Sequence, residues 1–338
     1  MRKKLLLLIT GLIAIFMLAA CGSKSQEDVV KELNGKQKDL TSYKAEAKMT
    51  LKMGSDSQVY DVEIWHMDPN FYRVNLKNPE KDQSQMILRN NEGVFVLTPA
   101  LKKSFRFQSD WPQNSSQAYL YESLINDIVA DKEAKFSSTK EHYIFETKTR
   151  YQNNSMLPTQ EIKLNKKDLS PAVVKVMDPD RNALVTVEFE KVKFNADFDK
   201  DDFDMKKNMT RAELNMPAMA DGGDQSFTVK YPTYEITGTK LVGEKTLKIE
   251  DGKRVVLTYE GKKKSYTLVQ EKVKAKAAAA SPTYVDGDLV DLGVTIGAVT
   301  DNSITWTQDG VDYMIASTNL TREEMIDVAK SVQGEAIK

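Results

Sequence analysis

The sequence predicts an α+β protein dominated by antiparallel strands and folded as two β-rich units. Three observations carry this. Short runs in which apolar and polar residues alternate recur from Tyr43 to Phe194 and again from Val229 to Ile315, with turn residues between them, the signature of half-buried strands. Helical spacing of apolar residues is confined to short segments around Val29, Leu124 and Met325, as expected of helices laid on a sheet. Both periods lapse from Asp204 to Ser226, which holds four methionines, Pro217 and Gly222-Gly223, so this stretch reads as the break between units.

The elements follow in order. Ser25 and Asp28 stand at capping-box spacing ahead of Val29, Val30, Leu33 and Leu40, which predicts a modest amphipathic helix. From Tyr43 the period becomes two, with Ala45, Ala47, Met49, Leu51 and Met53 alternating with Lys44, Glu46, Lys48, Thr50 and Lys52. Further strands are read at Tyr60 to Ile64, Tyr72 to Leu76 and Val94 to Leu97, the last after the turn Asn90-Asn91-Glu92-Gly93. Tyr119 to Val129 returns to helical spacing and is expected to lie across one sheet face. Strands resume at Tyr143 to Thr147, Glu161 to Leu164, Val173 to Met177 and Leu184 to Phe194.

The second unit starts near Phe227. Strands are expected over Val229 to Thr237, Thr246 to Ile249, Arg254 to Tyr259 and Lys264 to Leu268, then a loop or short helix over the Lys- and Ala-rich Glu271 to Ala280. Ile304-Thr305-Trp306 and Tyr313-Met314-Ile315 close the strand list. Thr321 and Glu324 form a second capping box, opening a helix with Met325, Val328, Ala329 and Val332 on its apolar face and Gly334 as its stop.

Ahead of both units, Arg2, Lys3 and Lys4 precede the apolar run Leu5 to Met17, and Leu18-Ala19-Ala20-Cys21 ends in the only cysteine. This has the form of a secretory leader, and the tetrapeptide looks like a bacterial lipobox. In proteins that resemble this, cleavage falls between Ala20 and Cys21, and the Cys21 sulfur carries a covalent diacylglycerol. Two acyl chains, at roughly 0.8 kcal/mol per buried methylene, make a lasting anchor where one chain would exchange. The competing reading is a membrane-spanning start helix, for which the run to Ala20 is short. The expected location is the outer face of the cell membrane, lipid-anchored. The expected organisation is a signal peptide over 1–20, lipidated Cys21 and tether over 21–26, a first domain over 27–207, a linker over 208–226 and a second domain over 227–338.

Composition narrows the chemistry. The formal net charge is −1, and removal of residues 1–20, with three positive charges and no negative ones, leaves −4. Interspersed signs at that balance argue against nucleic-acid binding. With Cys21 consumed by lipid no disulfide forms, and His66 and His142 are the only histidines. No nucleophile elbow, phosphate loop, HExxH or dinucleotide fingerprint is present. Carboxylate pairs of the glycosidase kind are defined in space, so sequence spacing leaves them open. Asp197, Asp199, Asp201, Asp202 and Asp204 invite a calcium reading, but Asp202 stands where an EF-hand needs glycine and Asn208 where it needs glutamate. A solvated strand end fits better, and no metal or cofactor is expected.

The segment Tyr60-Asp61-Val62-Glu63-Ile64-Trp65-His66-Met67-Asp68-Pro69-Asn70-Phe71-Tyr72-Arg73, with its Trp-x-x-x-Pro-x-x-x-Arg spacing, resembles the LolA-like, outer-membrane-lipoprotein-sorting superfamily. The leader, first helix, strand Tyr43 to Met53 and the later Leu169-Ser170-Pro171 follow in family order, so the resemblance covers about residues 25 to 207. The whole chain more closely resembles membrane-anchored sporulation lipoproteins of endospore-forming Gram-positive bacteria. The resemblance implies an open half-barrel of antiparallel strands with lid helices over an apolar concave face, plus a smaller C-terminal β-rich domain ending in a helix. Arg73 matches the family arginine that holds the lid through its backbone. The alternating Met and aromatic residues suggest the lining of the groove: Met49, Leu51 and Met53 from one strand and Val62 and Ile64 from the next. Phe95, Phe105 and Phe107 join them. Ordinary core filling explains the same methionines.

The expected function is therefore non-catalytic binding of an acyl chain or lipoprotein at the membrane, in sporulation or envelope biogenesis. The alternative is regulation of an envelope or cell-wall enzyme through a protein partner.

Overall fold

A computed structural model describes residues 24–53, 56–80, 83–107, 109, 111–112, 116–151, 156–214, 227–249, 252–273, 282–285, 287–292 and 295–334. The leader and Cys21 lie outside these residues.

Ser25 caps helix α1 (Gln26–Asp39): its side chain accepts from the Asp28 N–H, and the Asp28 carboxylate accepts from the Ser25 N–H. The chain then meanders through β1 (Ser42–Met53), β2 (Asp56–Met67), β3 (Phe71–Asn78), β4 (Gln83–Asn90), β5 (Gly93–Thr98) and β6 (Lys103–Phe107). Helix α2 (Tyr121–Ala130) follows, then β7 (Lys135–Ser138), β8 (His142–Lys148), β9 (Thr159–Asn165), β10 (Pro171–Met177) and β11 (Ala183–Phe194). The pairing β1 with β11 joins the two meanders into one antiparallel sheet, in the order β6-β5-β4-β3-β2-β1-β11-β10-β9-β8-β7. Among the described residues the sheet is open, with β7 paired on one side only.

One face of this sheet lies under α1 and α2. Tyr43, Ala45, Ala47 and Met49 of β1, and Val62 and Ile64 of β2, share a core with Val29 and Leu33 of α1 and Leu124 and Ile125 of α2. Ile64 and Leu33 are both 0% exposed, so truncating either to alanine costs about 2–5 kcal/mol. The opposite face of β3 to β5 carries its own cluster, built from Phe71, Met86, Leu88, Phe95 and Leu97 around Phe203.

That second cluster explains two corrections. A helix, α3 (Met205–Leu214), runs where the lapse of period predicted a linker from 208, and its Met205 and Met209, one turn apart, pack on the cluster. Strand β4 was not expected because Met86, Ile87 and Leu88 are buried on alternate faces, which erases the apolar-polar alternation that marks a half-buried strand.

The second unit opens with β12 (Tyr231–Pro232), which is all that forms of the strand expected over Val229 to Thr237. Its body is a seven-stranded antiparallel sheet. The strands are β13 (Lys240–Ile249), β14 (Gly252–Glu260), β15 (Ser265–Val273), β17 (Asp288–Asp291), β18 (Ile296–Val299), β19 (Ser303–Gln308) and β20 (Val311–Ala316), ordered β13-β14-β15-β20-β19-β18-β17. Thr321 caps α4 (Arg322–Lys330) in the expected box with Glu324, and Met325, Val328 and Ala329 enter the second core. The helix stops at Lys330; Gly334, read as its stop, belongs to β21 (Val332–Gly334), which pairs with β12. Glu271 to Val273 extend β15, and residues 274–281 lie outside the described residues.

The units are joined by more than a chain crossing. β16 (Thr283–Tyr284) leaves the second unit and adds in parallel to the edge of β6. Leu289, Ile296 and Ala298, from β17 and β18, are buried in the first core.

Candidate functional site

The sheet face under α1 and α2 is closed at its centre. Glu122, in the first turn of α2, has one carboxylate oxygen 2.9 Å from His66 Nε2, and accepts at the other from the Tyr43 hydroxyl at 3.0 Å. The Tyr43 oxygen accepts in turn from the Tyr121 N–H at 3.3 Å, and His66 Nδ1 lies 3.2 Å from the Phe71 carbonyl. Burial pushes the Tyr43 hydroxyl well above its ordinary range, so it stays a donor. Further along α2, the buried Asp127 accepts from Ser116 at 2.8 Å and Gln160 at 2.6 Å, and pairs with Arg150. Burial raises the Asp127 carboxyl above its usual range, against the pull of Arg150. These two polar clasps pin α2 to the sheet. Val62 and Ile64, read as groove lining, lie in the sealed core beneath.

Open apolar space lies at the seam between the units. A cleft of about 630 Å³ opens where β5 and β6 face the second sheet. Val96, Phe105 and Phe107 form one wall; Val256 and Val269 of β14 and β15 form the other. Ile296 and Ala298 make the floor, beside the stacked rings of Trp306 and Tyr313, whose centroids are 5.0 Å apart. Polar groups also line the cleft: Lys103 is ion-paired with Asp312 across the seam, and Arg254 Nε donates to Glu271 at 2.5 Å. Thr283 and Val285, flanking the short β16 pairing, complete the wall.

Phe105 and Phe107, read from the sequence as lining a groove under the lids, line this seam cleft instead, while Met49 and Leu51 line a smaller seam pocket of about 170 Å³. Phe95 is corrected: it faces the α3 cluster on the opposite side, because its neighbours Val94 and Val96 take the face under the lid helices. The side chain of Met53 lies outside the described residues. Arg73 is corrected as well. Its Nε donates to the Asn208 side-chain oxygen of α3 at 2.8 Å, its Nη1 to Glu63 at 2.6 Å, and its guanidinium lies 4.1 Å from the Trp65 ring centre. It holds α3 to the outer face through a side chain, and among the described residues its hydrogen bonds go to side chains and not to a lid backbone.

The aspartate run forms a short helical turn at Lys200–Phe203, with Asp199 and Asp202 capping it reciprocally and Lys207 pairing with Asp201 at 2.5 Å. Sequence reasoning missed the second wall of the cleft altogether. Its residues come from strands some 150 residues beyond Phe107 in the chain, and no local pattern reports such a pairing.

The fold is an open antiparallel sheet with two helices packed on one face, extended by a second β unit that meets it across an apolar cleft. The chain belongs to the family of YdcC-like sporulation proteins, whose profile matches residues 2–203. It is 56% identical to sporulation protein YdcC of Bacillus subtilis (strain 168) over 337 residues, covering 100% of this chain and 99% of that one. Among solved structures, the MucA/MucB complex of Pseudomonas aeruginosa includes a chain 13% identical, with 91% of this chain and 99% of that chain covered and a TM-score of 0.33. A LolA superfamily protein from Nitrosomonas europaea is 10% identical, with coverages of 55% and 100% and a TM-score of 0.31.

Proposed function

We propose that this protein is a non-catalytic lipoprotein, anchored through Cys21 at the outer face of the cell membrane, that binds a hydrophobic ligand in the seam cleft during sporulation or envelope biogenesis. The observation that carries the reading is the cleft itself: about 630 Å³, within the roughly 300–1,000 Å³ range of small-ligand sites, walled by aromatic and aliphatic side chains with charged pairs among them. An acyl chain gains from leaving water along such walls. The paired charges Lys103/Asp312 and Arg254/Glu271 suit a ligand with a polar head.

The test is lipid extraction and mass spectrometry on the full chain purified from membranes, beside Val256→Trp, which fills the cleft from a half-buried wall position. Native protein is expected to carry acyl lipid in stoichiometric amount and the variant at least tenfold less. Equal lipid in both, or none in either, overturns the reading.

A partner-binding role has its own support. Among the described residues β13 pairs only with β14 and exposes Leu241 and Val242, at 42% and 58%. A free strand edge with exposed apolar side chains is a template for strand addition by another protein. Crosslinking from Val242 in intact cells should capture one stoichiometric envelope protein if this edge is used.

A further inference from the structure

We propose that the seam cleft continues into a head-group subsite on the same face of the second sheet, and that the two together take one apolar chain bearing an uncharged polyhydroxyl head about the size of a single hexose. This rests on the cleft being a hydrophobic-ligand site and adds to it the chemistry of the head.

The register of the second sheet sets the two openings side by side. Val256 of β14, Val269 of β15 and Met314 of β20 are direct cross-strand partners and line the cleft. One step of two residues along the same strands, Thr258, Thr267 and Ala316 are again direct partners, and they line a separate, shallow hollow of about 330 Å³. Residues two apart in a strand point to one face and lie roughly 7 Å apart. The intervening Leu257, Leu268 and Ile315 are all 0% exposed and pack in the second core on the opposite face. The hollow therefore opens on the cleft side, and a chain leaving the cleft stays on apolar surface until it meets the threonines.

The chemistry changes from one row to the next. Thr258 and Thr267 are joined by Ser265, Asn302 and Thr318, and Glu260 is the one charged side chain among the described residues that line the hollow. Thr258 and Thr267 are half-buried and Glu260 is exposed, and none of these three side chains is hydrogen-bonded within the described residues. A hydroxyl both donates and accepts while a carboxylate only accepts, so a head carrying several hydroxyls meets both, with a charge-assisted bond to Glu260. A phosphate or carboxylate head would face Glu260 with no lining cation to offset the repulsion.

Size sets the rest. At roughly 30 Å³ per water-sized unit, the 330 Å³ hollow holds about eleven heavy atoms, close to one hexose. By the same measure the cleft of about 630 Å³ holds about twenty, which is one acyl chain and not two.

The test titrates nonyl glucoside into the full chain held in phospholipid nanodiscs, with empty nanodiscs as reference. Nonanol supplies the tail alone, and nonyl phosphate and nonylamine supply charged heads. Nonyl glucoside is expected to bind at least tenfold more tightly than any of the three. Thr258→Val combined with Thr267→Val keeps the β-branched shape and removes both hydroxyls; it should erase that advantage and leave nonanol affinity unchanged, whereas Val256→Trp should abolish binding of both. A glucoside no tighter than nonanol, an advantage that survives the double substitution, or a charged head that binds as tightly as the glucoside overturns the head subsite while the cleft reading stands. Binding of neither glucoside nor nonanol overturns the cleft reading and this inference with it.

Discussion

Asp327 and Glu146 show how the same side-chain chemistry is driven in opposite directions by its surroundings. Asp327 sits on α4, only 1% exposed, and burial pushes its carboxyl up to about 6 from an ordinary 3.8. Between those values the folded protein keeps a proton that the unfolded chain has released, so stability falls as pH rises from about 4 to about 6 and the loss persists above. Asp327→Asn is expected to raise stability at pH 7.5 by as much as roughly 3 kcal/mol, since each tenfold change in proton affinity is worth about 1.36 kcal/mol, and to change almost nothing at about pH 3, where both states hold the proton. Thermal unfolding at the two pH values reads this directly. Glu146 accepts two hydrogen bonds of 2.8 Å from Arg181 and one of 3.0 Å from Lys135, which hold its carboxyl at about 2. Its contribution is present above about 4.5 and lost as pH falls through 2. Arg181 and Lys135 are largely in solvent, at 57% and 75%, and screening limits Glu146→Gln to about 1 kcal/mol or less at pH 7. Urea unfolding should show that difference vanish at pH 2.

At the scale of elements, local chemistry and tertiary contact divide the work. The capping boxes Ser25/Asp28 and Thr321/Glu324 were legible in the sequence because every partner lies within three residues. Thr321→Ala is expected to cost about 1 kcal/mol, measured by denaturant unfolding. Helix α3 was not legible, since the apolar anchors it shows among the described residues are Met205 and Met209 and their receptor is a cluster assembled from β3, β4 and β5. Its register depends on Asn208, which accepts from Arg73 and donates to the carbonyls of Asp202 and Asp204 at 2.8 and 2.9 Å. Arg73→Ala removes a charge-assisted bond and strands the Asn208 oxygen, for a loss of roughly 1.5–3 kcal/mol. Faster amide exchange confined to Met205–Leu214 is the expected signature; unchanged exchange there would mean that the methionines alone hold the helix.

At the scale of the molecule, the two units share structure across their seam. Ile296, 3% exposed, belongs to a strand of the second sheet and to the core of the first, and the β16 addition extends the first sheet with residues from the second unit. Ile296→Ala should therefore cost about 2–5 kcal/mol and split one calorimetric transition into two, because it weakens the shared apolar contact that couples the units. A single transition shifted intact would show that β16 and the remaining seam contacts suffice.

The sequence by itself determined the period of most strands and of the first, second and last helices, both capping boxes, and a set of apolar residues read as one groove lining, Phe105 and Phe107 among them. Only the tertiary structure decided where open apolar space lies. An alternating strand states that its residues face two ways, and β3 to β5 are covered on both faces, by the lid side and by α3. Alternation therefore could not tell Phe95 from its neighbours Val94 and Val96. The groove expected beneath the lids is filled, since α1 and α2 are clasped onto it, and the space moves to the seam where two separately read units meet.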